Sequence, residues 1–316
     1  MEMTAPGLDD LKAAHERILS HVHRTPILEN EYLNARFAAQ LYFKCENLQK
    51  IGAFKARGAC NAILGLSEAE CTGGVATHSS GNHGAAVAMA AGKRGIAAHI
   101  VMPTNAPAAK KNAVVQHGGT IIDCEPTLAA REQTLATVVD RTRAHVVHPY
   151  HDPRVIAGQG TVGLEVLEQV AELDAILVPV GGGGLLSGVA TAVKSINPKI
   201  EVVGVEPAGA DDAFRSFGLG RLIPQTNPQT IADGLRSSLG QLNFEIIQQH
   251  VDTILTVEEA AIVDAMRLQW THLKTVVEPS GAVTFAALLE YEKRFRGRKV
   301  ALVISGGNLD LDSLPW

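Results

Sequence analysis

The sequence predicts an α/β protein with two doubly wound α/β domains, each built on a mainly parallel sheet. Its 316 residues are enough for about two domains. Apolar segments of four to seven residues alternate with amphipathic segments of ten or more, which is the pattern of βαβ units. Glycine is frequent (30 residues) and aromatic side chains make up only 4% of the chain, which favours this class over a β-sandwich.

The predicted elements follow in this order. Apolar side chains recur at helical spacing over residues 8–22, where Asp9 and Asp10 begin the helix and Pro26 ends it. A short strand (41–46) follows. The first alternating series then has strands at 74–79, 97–103, 120–125 and 145–149 and helices at 81–95, 106–118 and 128–143. The second series has strands at 174–180, 201–207, 252–257 and 299–307 and helices at 185–196, 258–273 and 280–295.

The two series predict the domain organisation. We expect a large domain formed by residues 1–70 and 152–316. A small, mobile α/β domain, residues 71–151, is inserted in it.

Composition argues against several function classes. Lys and Arg number 28 against 33 Asp and Glu, a net charge of −5, so nucleic acid is not an expected partner. Nor is a membrane, because no apolar run reaches the ~20 residues that a membrane span needs. The acidic N-terminus lacks a signal-peptide core. The cysteines are widely spaced and form no CxxC pair, which predicts reduced thiols in the cytoplasm: Cys45, Cys60, Cys71 and Cys124.

The first candidate for chemistry is Lys55, in the segment LQKIGAFKARGA (48–59). Its neighbours are small and few are charged. A confined lysine can have a lowered pKa and act as a Schiff-base nucleophile. This segment alone, however, favours an ordinary surface lysine beside Arg57.

Four consecutive glycines, residues 181–184, lie between a predicted buried strand and a helix. Glycine lets several backbone N–H groups converge on an anion at a helix N-terminus. Because no GK[ST] follows, the loop is not a nucleotide-binding P-loop. It predicts a phosphate cradle, although a permissive turn that binds nothing also fits.

Two further turns end predicted strands. HSSGNHGAA (78–86) offers hydroxyls, an amide and free helix N–H groups to a carboxylate, or serves as a helix cap only. ISGGN (304–308) ends the last strand, at the sheet edge where α/β proteins collect ligands.

Three other patterns are weaker evidence for a functional site. GQGTVG (158–163) matches GxGxxG, but it lacks the preceding strand and the later acidic residue of a dinucleotide site, so we expect the N-terminus of a packed helix there. The histidines show no zinc-ligand spacing. Acidic side chains in EPAGADD (206–212) suit Mg²⁺ or Ca²⁺, although the residues alone fit a solvated loop as well.

Taken together, GxFKxRGA, SSGNHG, GGGG and a terminal SGGN occur in one order. In this combination the chain resembles the fold type II pyridoxal-phosphate (PLP) enzymes, the tryptophan synthase β-like superfamily. Within it the chain is similar to the serine racemase and serine/threonine dehydratase subgroup. The likeness extends from KCENLQK (44–50) to SGGNLDL (305–311).

The resemblance implies roles for the matching residues. Lys55 would form a Schiff base with PLP and move protons on one face of the substrate, with Ser80 as a second acid/base on the other. The implied cofactor-binding residues are Phe54, Lys55, Asn82, Gly181, Gly182, Gly183, Gly184, Leu185, Gly234, Glu278 and Ser305. The implied substrate-binding residues are Ser79, Ser80, Gly81, Asn82, His83, Arg131 and Ser237. A divalent metal, Mg²⁺ or Ca²⁺ with Mn²⁺ as a further option, would be bound by Glu206, Asp212 and the carbonyl of Ala210.

The activity that the resemblance implies is β-elimination of a β-hydroxy amino acid such as L-threonine or L-serine, giving a 2-oxo acid and ammonia. Serine racemisation and dehydration of 3-hydroxyaspartate or a bulkier 3-hydroxy amino acid remain alternatives, as does a non-catalytic protein that binds PLP or an amino acid. Ile51 and Ala53 replace the hydroxyls of the more usual TGSFK, and the GAFK version occurs in relatives acting on 3-hydroxyaspartate. Ala85 replaces the glutamine of mammalian serine racemases, which argues against ATP activation. A homodimer is expected.

Overall fold

The computed structural model describes residues 4–316; residues 1–3, which begin the predicted large domain, lie outside the described part. The strands of this part are β1 (Ile27–Leu28), β2 (Gln40–Cys45), β3 (Val75–His78), β4 (Ala98–Pro103), β5 (Thr120–Cys124), β6 (His145–Val146), β7 (Ala175–Pro179), β8 (Glu201–Pro207), β9 (Thr253–Val257) and β10 (Lys299–Ile304).

The α-helices of the same residues are α1 (Leu8–Ile18), α2 (Glu31–Phe37), α3 (Lys55–Leu64), α4 (Glu68–Cys71), α5 (Asn82–Arg94), α6 (Ala108–Gln116), α7 (Leu128–Thr142), α8 (Pro153–Gln169), α9 (Gly184–Ile196), α10 (Asp212–Leu219), α11 (Gln241–His250), α12 (Glu259–Leu273), α13 (Pro279–Glu290) and α14 (Glu292–Phe295). None of them is long and apolar enough to cross a membrane.

The strands form two sheets, which confirms the predicted fold class. The larger has six strands in the order β1-β2-β10-β7-β8-β9, and the smaller has four in the order β5-β4-β3-β6. All neighbours are parallel except β1 and β2. The smaller sheet comes from one continuous stretch of chain, and the larger sheet from the stretches on either side of it. Buried apolar side chains cover both faces of the larger sheet, as parallel strands require.

Several predicted boundaries were wrong. The first helix ends at Ile18, well before Pro26, which was predicted to end it, and the strand predicted at 145–149 pairs only at His145 and Val146. The helix predicted at 280–295 is broken at Tyr291, whose backbone leaves helical geometry (φ −113°, ψ 31°). There the Tyr291 hydroxyl donates to the carbonyl of Thr256, a tertiary contact that helical periodicity does not reveal.

The GQGTVG segment lies in the interior of α8 and not at a helix N-terminus, which corrects that prediction. Its glycines allow neighbouring helices to approach closely. A Cβ on Gly160 would lie 2.6 Å from a Leu11 side-chain atom and 2.8 Å from the carbonyl of Gly188. A Cβ on Gly163 would lie 2.9 Å from that of Ala192. The segment is therefore a helix-packing motif.

A fully buried charge network joins α3, β2 and α8. Arg57, two residues after Lys55, donates to both oxygens of Glu46 (2.7 and 2.8 Å) and to both oxygens of Glu165 (2.7 and 2.8 Å). Lys44 on β2 donates to Glu165 at 2.6 Å. Burial alone would raise the pKa of Glu165, but the two cations lower it. The four side chains therefore stabilise one another as ions.

We expect Arg57→Met to lower the free energy of unfolding by about 3–5 kcal/mol, because two carboxylates would remain buried without their shared cation. Urea unfolding followed by circular dichroism measures the change. Arg24→Met is the matched control. Its pair with Glu168 is about half exposed (48% and 49%), so it should cost less than about 1 kcal/mol. Equal stability of the two variants would contradict a stabilising role of the network.

Candidate active site

The four motifs meet where parallel strands end. The Lys55 segment follows β2, the SSGNHG turn follows β3, the glycine loop follows β7 and the SGGN turn follows β10. In open α/β sheets this carboxyl edge is where ligands bind. Backbone hydrogen bonds join the first and last motifs: Phe54 N–H donates to Ser305 O (3.1 Å), and Gly307 N–H donates to Gly52 O (2.9 Å).

Lys55 is the first residue of α3, and its amine points at the chain that returns from the smaller sheet. Its Nζ donates to the carbonyl of Pro149 at 2.7 Å and lies 5.1 Å from the centre of the Phe54 ring. Burial lowers the pKa of Lys55 to about 8. About one-tenth of the amine is thus neutral at pH 7, far more than for an ordinary lysine, and the neutral form is the one that a nucleophilic amine needs.

The turn before Lys55 is strained. Ile51 has φ +60°, a conformation that a β-branched residue rarely adopts. The side-chain amide of Asn308, in the SGGN turn, donates to the carbonyl of Ile51 at 2.6 Å and holds it. Such outliers persist where the surrounding structure fixes them, and they cluster at functional sites.

The segment Val147–His151 crosses the site, and the sequence analysis missed it. Besides binding Lys55 through Pro149, it places the ring of Tyr150 against the glycine loop, 2.4 Å from where a Gly182 Cβ would lie. The Tyr150 carbonyl accepts from the Asn243 side chain at 3.0 Å. The signal that could have revealed it is the polar and aromatic run HPYH (148–151), which overlaps the end of the last predicted strand of the first series.

The glycine loop has the form of an anion cradle. A Cβ built on Gly181, Gly182 or Gly183 would meet a neighbouring atom at 2.4–2.9 Å, so a side chain there would force the surroundings to shift, and at Gly184 the nearest atom is 3.1 Å away. Gly183 has φ +92° and is the N-cap residue of α9. Within residues 4–316 no protein acceptor is bound by the N–H groups of Gly181 to Leu185. These donors and the helix dipole favour an anion.

The SSGNHG turn begins α5. Ser79 Oγ accepts from Gly81 N–H at 3.2 Å, and Ser80 is half-buried beside it. His83 donates from Nε2 to Val147 O at 3.0 Å, so its Nδ1, buried and without a partner, carries the lone pair. Burial holds the pKa of His83 well below its ordinary value, and His83 is therefore neutral.

Asn82 is hydrogen-bonded to residues that follow strands of the larger sheet, on the side of the site opposite the SSGNHG turn. It donates to Glu278 at 2.9 Å and accepts from Asn308 at 3.0 Å, and the Asn308 N–H donates to Glu278 at 3.1 Å. Burial, assisted by the Asp233 carboxylate, raises the pKa of Glu278 to about 8. Glu278 is therefore mostly an uncharged acid at neutral pH, beside the SGGN turn.

The remaining candidates lie at the edge of this group. Ser305 is buried and donates to Ser280 O (3.2 Å), and Gly234 N–H donates to the Ser280 hydroxyl (3.0 Å). Ser237 lies in the loop before α11, and within residues 4–316 it makes no hydrogen bond to another candidate residue. Arg131 lies in the first turn of α7, with its buried Nε unpartnered.

The proposed metal ligands form a separate group behind the glycine loop. Glu206 and Asp212 are fully buried, and Ala210 is buried between them in the chain. Glu206 accepts from the N–H groups of Ala213 (3.3 Å) and Phe214 (2.6 Å), so it also caps α10. Asp212 accepts from Leu239 N–H at 2.8 Å through one oxygen, and its other oxygen is buried without a partner.

Comparisons with known proteins point to one family. A family model described as pyridoxal-phosphate dependent enzyme matches residues 18–306. A beta-hydroxyaspartate dehydratase of Paracoccus denitrificans is 50% identical, over 99% of this chain and 100% of its own. The structure of maize serine racemase has a TM-score of 0.96 and 46% identity, covering 98% of this chain and 95% of its own. For the serine racemase of Dictyostelium discoideum the TM-score is 0.92 and the identity 47%, with 96% and 99% covered.

The resemblance stated from the motifs is thus confirmed. The relatives include serine racemases, a hydroxyaspartate dehydratase and threonine deaminases. The family model spans most of the chain, and the identities extend over nearly its full length. The chain therefore belongs to the pyridoxal-phosphate dependent enzymes, in the subgroup of the serine racemases and hydroxy-amino-acid dehydratases.

Proposed function

We propose that the chain catalyses β-elimination of a β-hydroxy amino acid, which releases a 2-oxo acid and ammonia. One juxtaposition carries the proposal. Adjacent residues, Pro149 and Tyr150, contact the desolvated amine of Lys55 and the glycine cradle, so that a nucleophilic amine and an anion site share one wall.

The residues present fit pyridoxal phosphate. The free N–H groups of Gly181 to Leu185 suit its phosphate, and Ser305 offers a neutral hydroxyl for a ring nitrogen. Phe54, Asn82, Gly234 and Glu278 would complete the binding site. When bound, PLP supplies an aldehyde for amines and a conjugated ring that withdraws electrons from the substrate Cα.

The protein would supply binding and proton transfer. The hydroxyls and N–H groups of Ser79–Asn82, together with the neutral His83, would hold the substrate carboxylate, with Arg131 and Ser237 at the periphery. Lys55, with its lowered pKa, would take the Cα proton. Loss of the β-hydroxyl as water leaves an enamine, whose hydrolysis gives the 2-oxo acid and ammonia.

Racemisation is the second candidate activity, and Ser80 favours it. A racemase needs proton transfer on both faces of Cα, and the SSGNHG turn presents a half-buried hydroxyl at Ser80 that is not bound within residues 4–316. Dehydration of 3-hydroxyaspartate is supported by the GAFK sequence and by the 50% identity to the Paracoccus denitrificans dehydratase.

A divalent cation between Glu206, the Ala210 carbonyl and Asp212 belongs to the same proposal. Two fully buried carboxylates lie there, one with an unpartnered oxygen, and oxygen donors suit Mg²⁺, Ca²⁺ or Mn²⁺. Leu239 connects this group to the cradle, because its N–H binds Asp212 and its side chain lies 2.6 Å from where a Gly183 Cβ would be. A bound cation would thus stabilise the loop behind the cradle.

The organisation of the chain is part of the proposal. We infer that residues 71–151 form the small mobile domain and that 1–70 and 152–316 form the large one; the separate sheets support this division. A homodimer is supported by exposed apolar side chains, among them Tyr32, Leu48 and Val276. All four cysteines are free and buried, in keeping with a cytoplasmic protein.

Keto-acid release from L-serine, L-threonine and 3-hydroxyaspartate, in both enantiomers, tests the activity. We expect turnover of at least one of them, and a loss of about 10²–10⁴-fold or more in Lys55→Ala, because no other amine replaces the nucleophile and base. Lys50→Ala in the same segment is the control. The proposal fails if Lys55→Ala retains turnover, or if borohydride reduction labels a peptide without Lys55.

Ser80→Ala should separate elimination from racemisation. Elimination from an L-substrate needs a base on one face only, so we expect it to stay within about 10–100-fold of the wild type while formation of D-serine disappears. Chiral chromatography beside a coupled keto-acid assay measures both. Ser79→Ala, which keeps the hydroxyl at position 80, should still racemise. Racemisation that survives in Ser80→Ala would rule out this residue as the second base.

Chelation should lower the melting temperature of the holoenzyme, and Mg²⁺ or Ca²⁺ should restore it. Removal of the cation would leave two buried carboxylates near each other, and the size scaling of the unfolding entropy predicts a loss of about 1–2 °C per kcal/mol for this chain. Differential scanning fluorimetry with EDTA measures the shift. Asp212→Asn should respond less to chelation. An unchanged melting temperature in the wild type would leave the loop as a helix cap alone.

A further inference from the structure

An ion pair crosses the opening of the candidate site. Lys110, in the first turn of α6 beside the smaller sheet, donates to Asp233, which precedes Gly234 on the side of the larger sheet. The Lys110 side chain is only 14% exposed, whereas that of Asp233 is 40% exposed. The ammonium is therefore mostly removed from water, and its partner is not.

Lys110 lies over the turn that would bind the substrate. The atoms nearest to where a Gly81 Cβ would stand all belong to its outer side chain: Nζ at 3.5 Å, Cδ at 3.6 Å and Cε at 3.8 Å. Asp233 is held on the opposite side, because the neighbouring Gly234 N–H binds Ser280 and the Leu235 Cα lies 2.9 Å from where a Gly181 Cβ would be. The pair thus joins the substrate turn to the glycine cradle.

Besides Arg131, Lys110 is the cation that this part of the site offers to an acidic substituent of the substrate. Lys55 is committed to the reaction, and His83 is neutral. Burial lowers the pKa of His148 to about 3, so it is neutral as well. Arg131 is the remaining cation in question. It lies on α7 and, after burial, is the next cause of the lowered pKa of His78, whereas the Lys110 side chain lies directly over the SSGNHG turn.

We propose that Lys110 is a specificity-determining residue, which binds an acidic group on the substrate's β-carbon in exchange for Asp233. This inference rests on the proposed elimination and names its substrate class: 3-hydroxy amino dicarboxylic acids. Without such a substrate, Asp233 stays paired with the Lys110 ammonium. When the substrate binds, the Asp233 side chain rotates away from Lys110 toward the solvent, to which it is already partly exposed. A substrate without the second carboxylate leaves the Lys110–Asp233 pair intact and gains no binding energy from Lys110.

The test compares matched ligands and substrates on the holoenzyme. Succinate has the carbon skeleton of aspartate, and butyrate is the same chain with one carboxylate fewer. By isothermal titration calorimetry we expect succinate to bind about 10-fold or more tightly than butyrate in the wild type. Lys110→Gln should abolish that preference, and Asp233→Asn should increase it by removing the internal competitor.

The kinetic arm measures kcat/KM. Lys110→Gln should lose about 10–100-fold with 3-hydroxyaspartate and much less with L-serine, while Lys110→Arg retains most of the preference. Lys111→Gln is the control, since the adjacent lysine pairs with Asp123 and does not reach the turn. Circular dichroism verifies that the variants are folded.

Several results would overturn the inference. Equal losses with both substrates would make the pair a closure contact only, and a selective loss in Arg131→Gln but not in Lys110→Gln would assign the role to Arg131. Succinate binding no tighter than butyrate binding would also overturn it. If no substrate is turned over but succinate binding still depends on Lys110, the proposed reaction fails and the binding role stands.

Discussion

The buried network around Arg57 is the constraint on which the site depends. A guanidinium and an ammonium are removed from water with two carboxylates, and each ion is tolerable only because the others are in place. Arg57 lies in the first turn of α3, so anchoring it to β2 and α8 prevents that turn from rotating or sliding. Lys55, two residues earlier, is thereby fixed at the sheet edge. An energetically expensive cluster with no ligand of its own thus positions the reactive amine.

The segment Val147–His151 connects Lys55 to the rest of the site. Within five residues it contacts α5 through His83, the amine of Lys55, and the glycine loop through the Tyr150 ring. It is also the chain's return from the smaller sheet to the larger. A relative displacement of the two sheets would therefore act on the Lys55 amine and the glycine loop together.

Much of this was accessible from sequence, because the strongest signals are local. Strand-to-helix turns such as GGGG and SSGNHG are recognisable from their glycine and capping residues. The alternation of short apolar segments with longer amphipathic segments predicted the two parallel sheets. Three features were not accessible. Arg57 looked like a surface neighbour of Lys55 because its partners are 11 and 108 residues away. The role of HPYH and the Lys110–Asp233 pair depend on how two sheets face each other, and no periodicity encodes that. The GQGTVG segment was expected in a packed helix, but at its N-terminus, because glycine has a low helix propensity; it lies inside α8, where its glycines permit close packing.

The electrostatics of the site follow one rule: full charges are kept away from the reacting atoms. Burial lowers the pKa of Lys55 and of His83 and raises that of Glu278, so all three shift toward their neutral forms near pH 7. The anion cradle likewise uses backbone N–H groups and the dipole of α9 instead of a cationic side chain. In such surroundings the proposed proton transfer from Cα to Lys55 would not compete with a strong ion pair. A charged substituent on the substrate would, on the same proposal, bind at the rim of the site, where Lys110 lies.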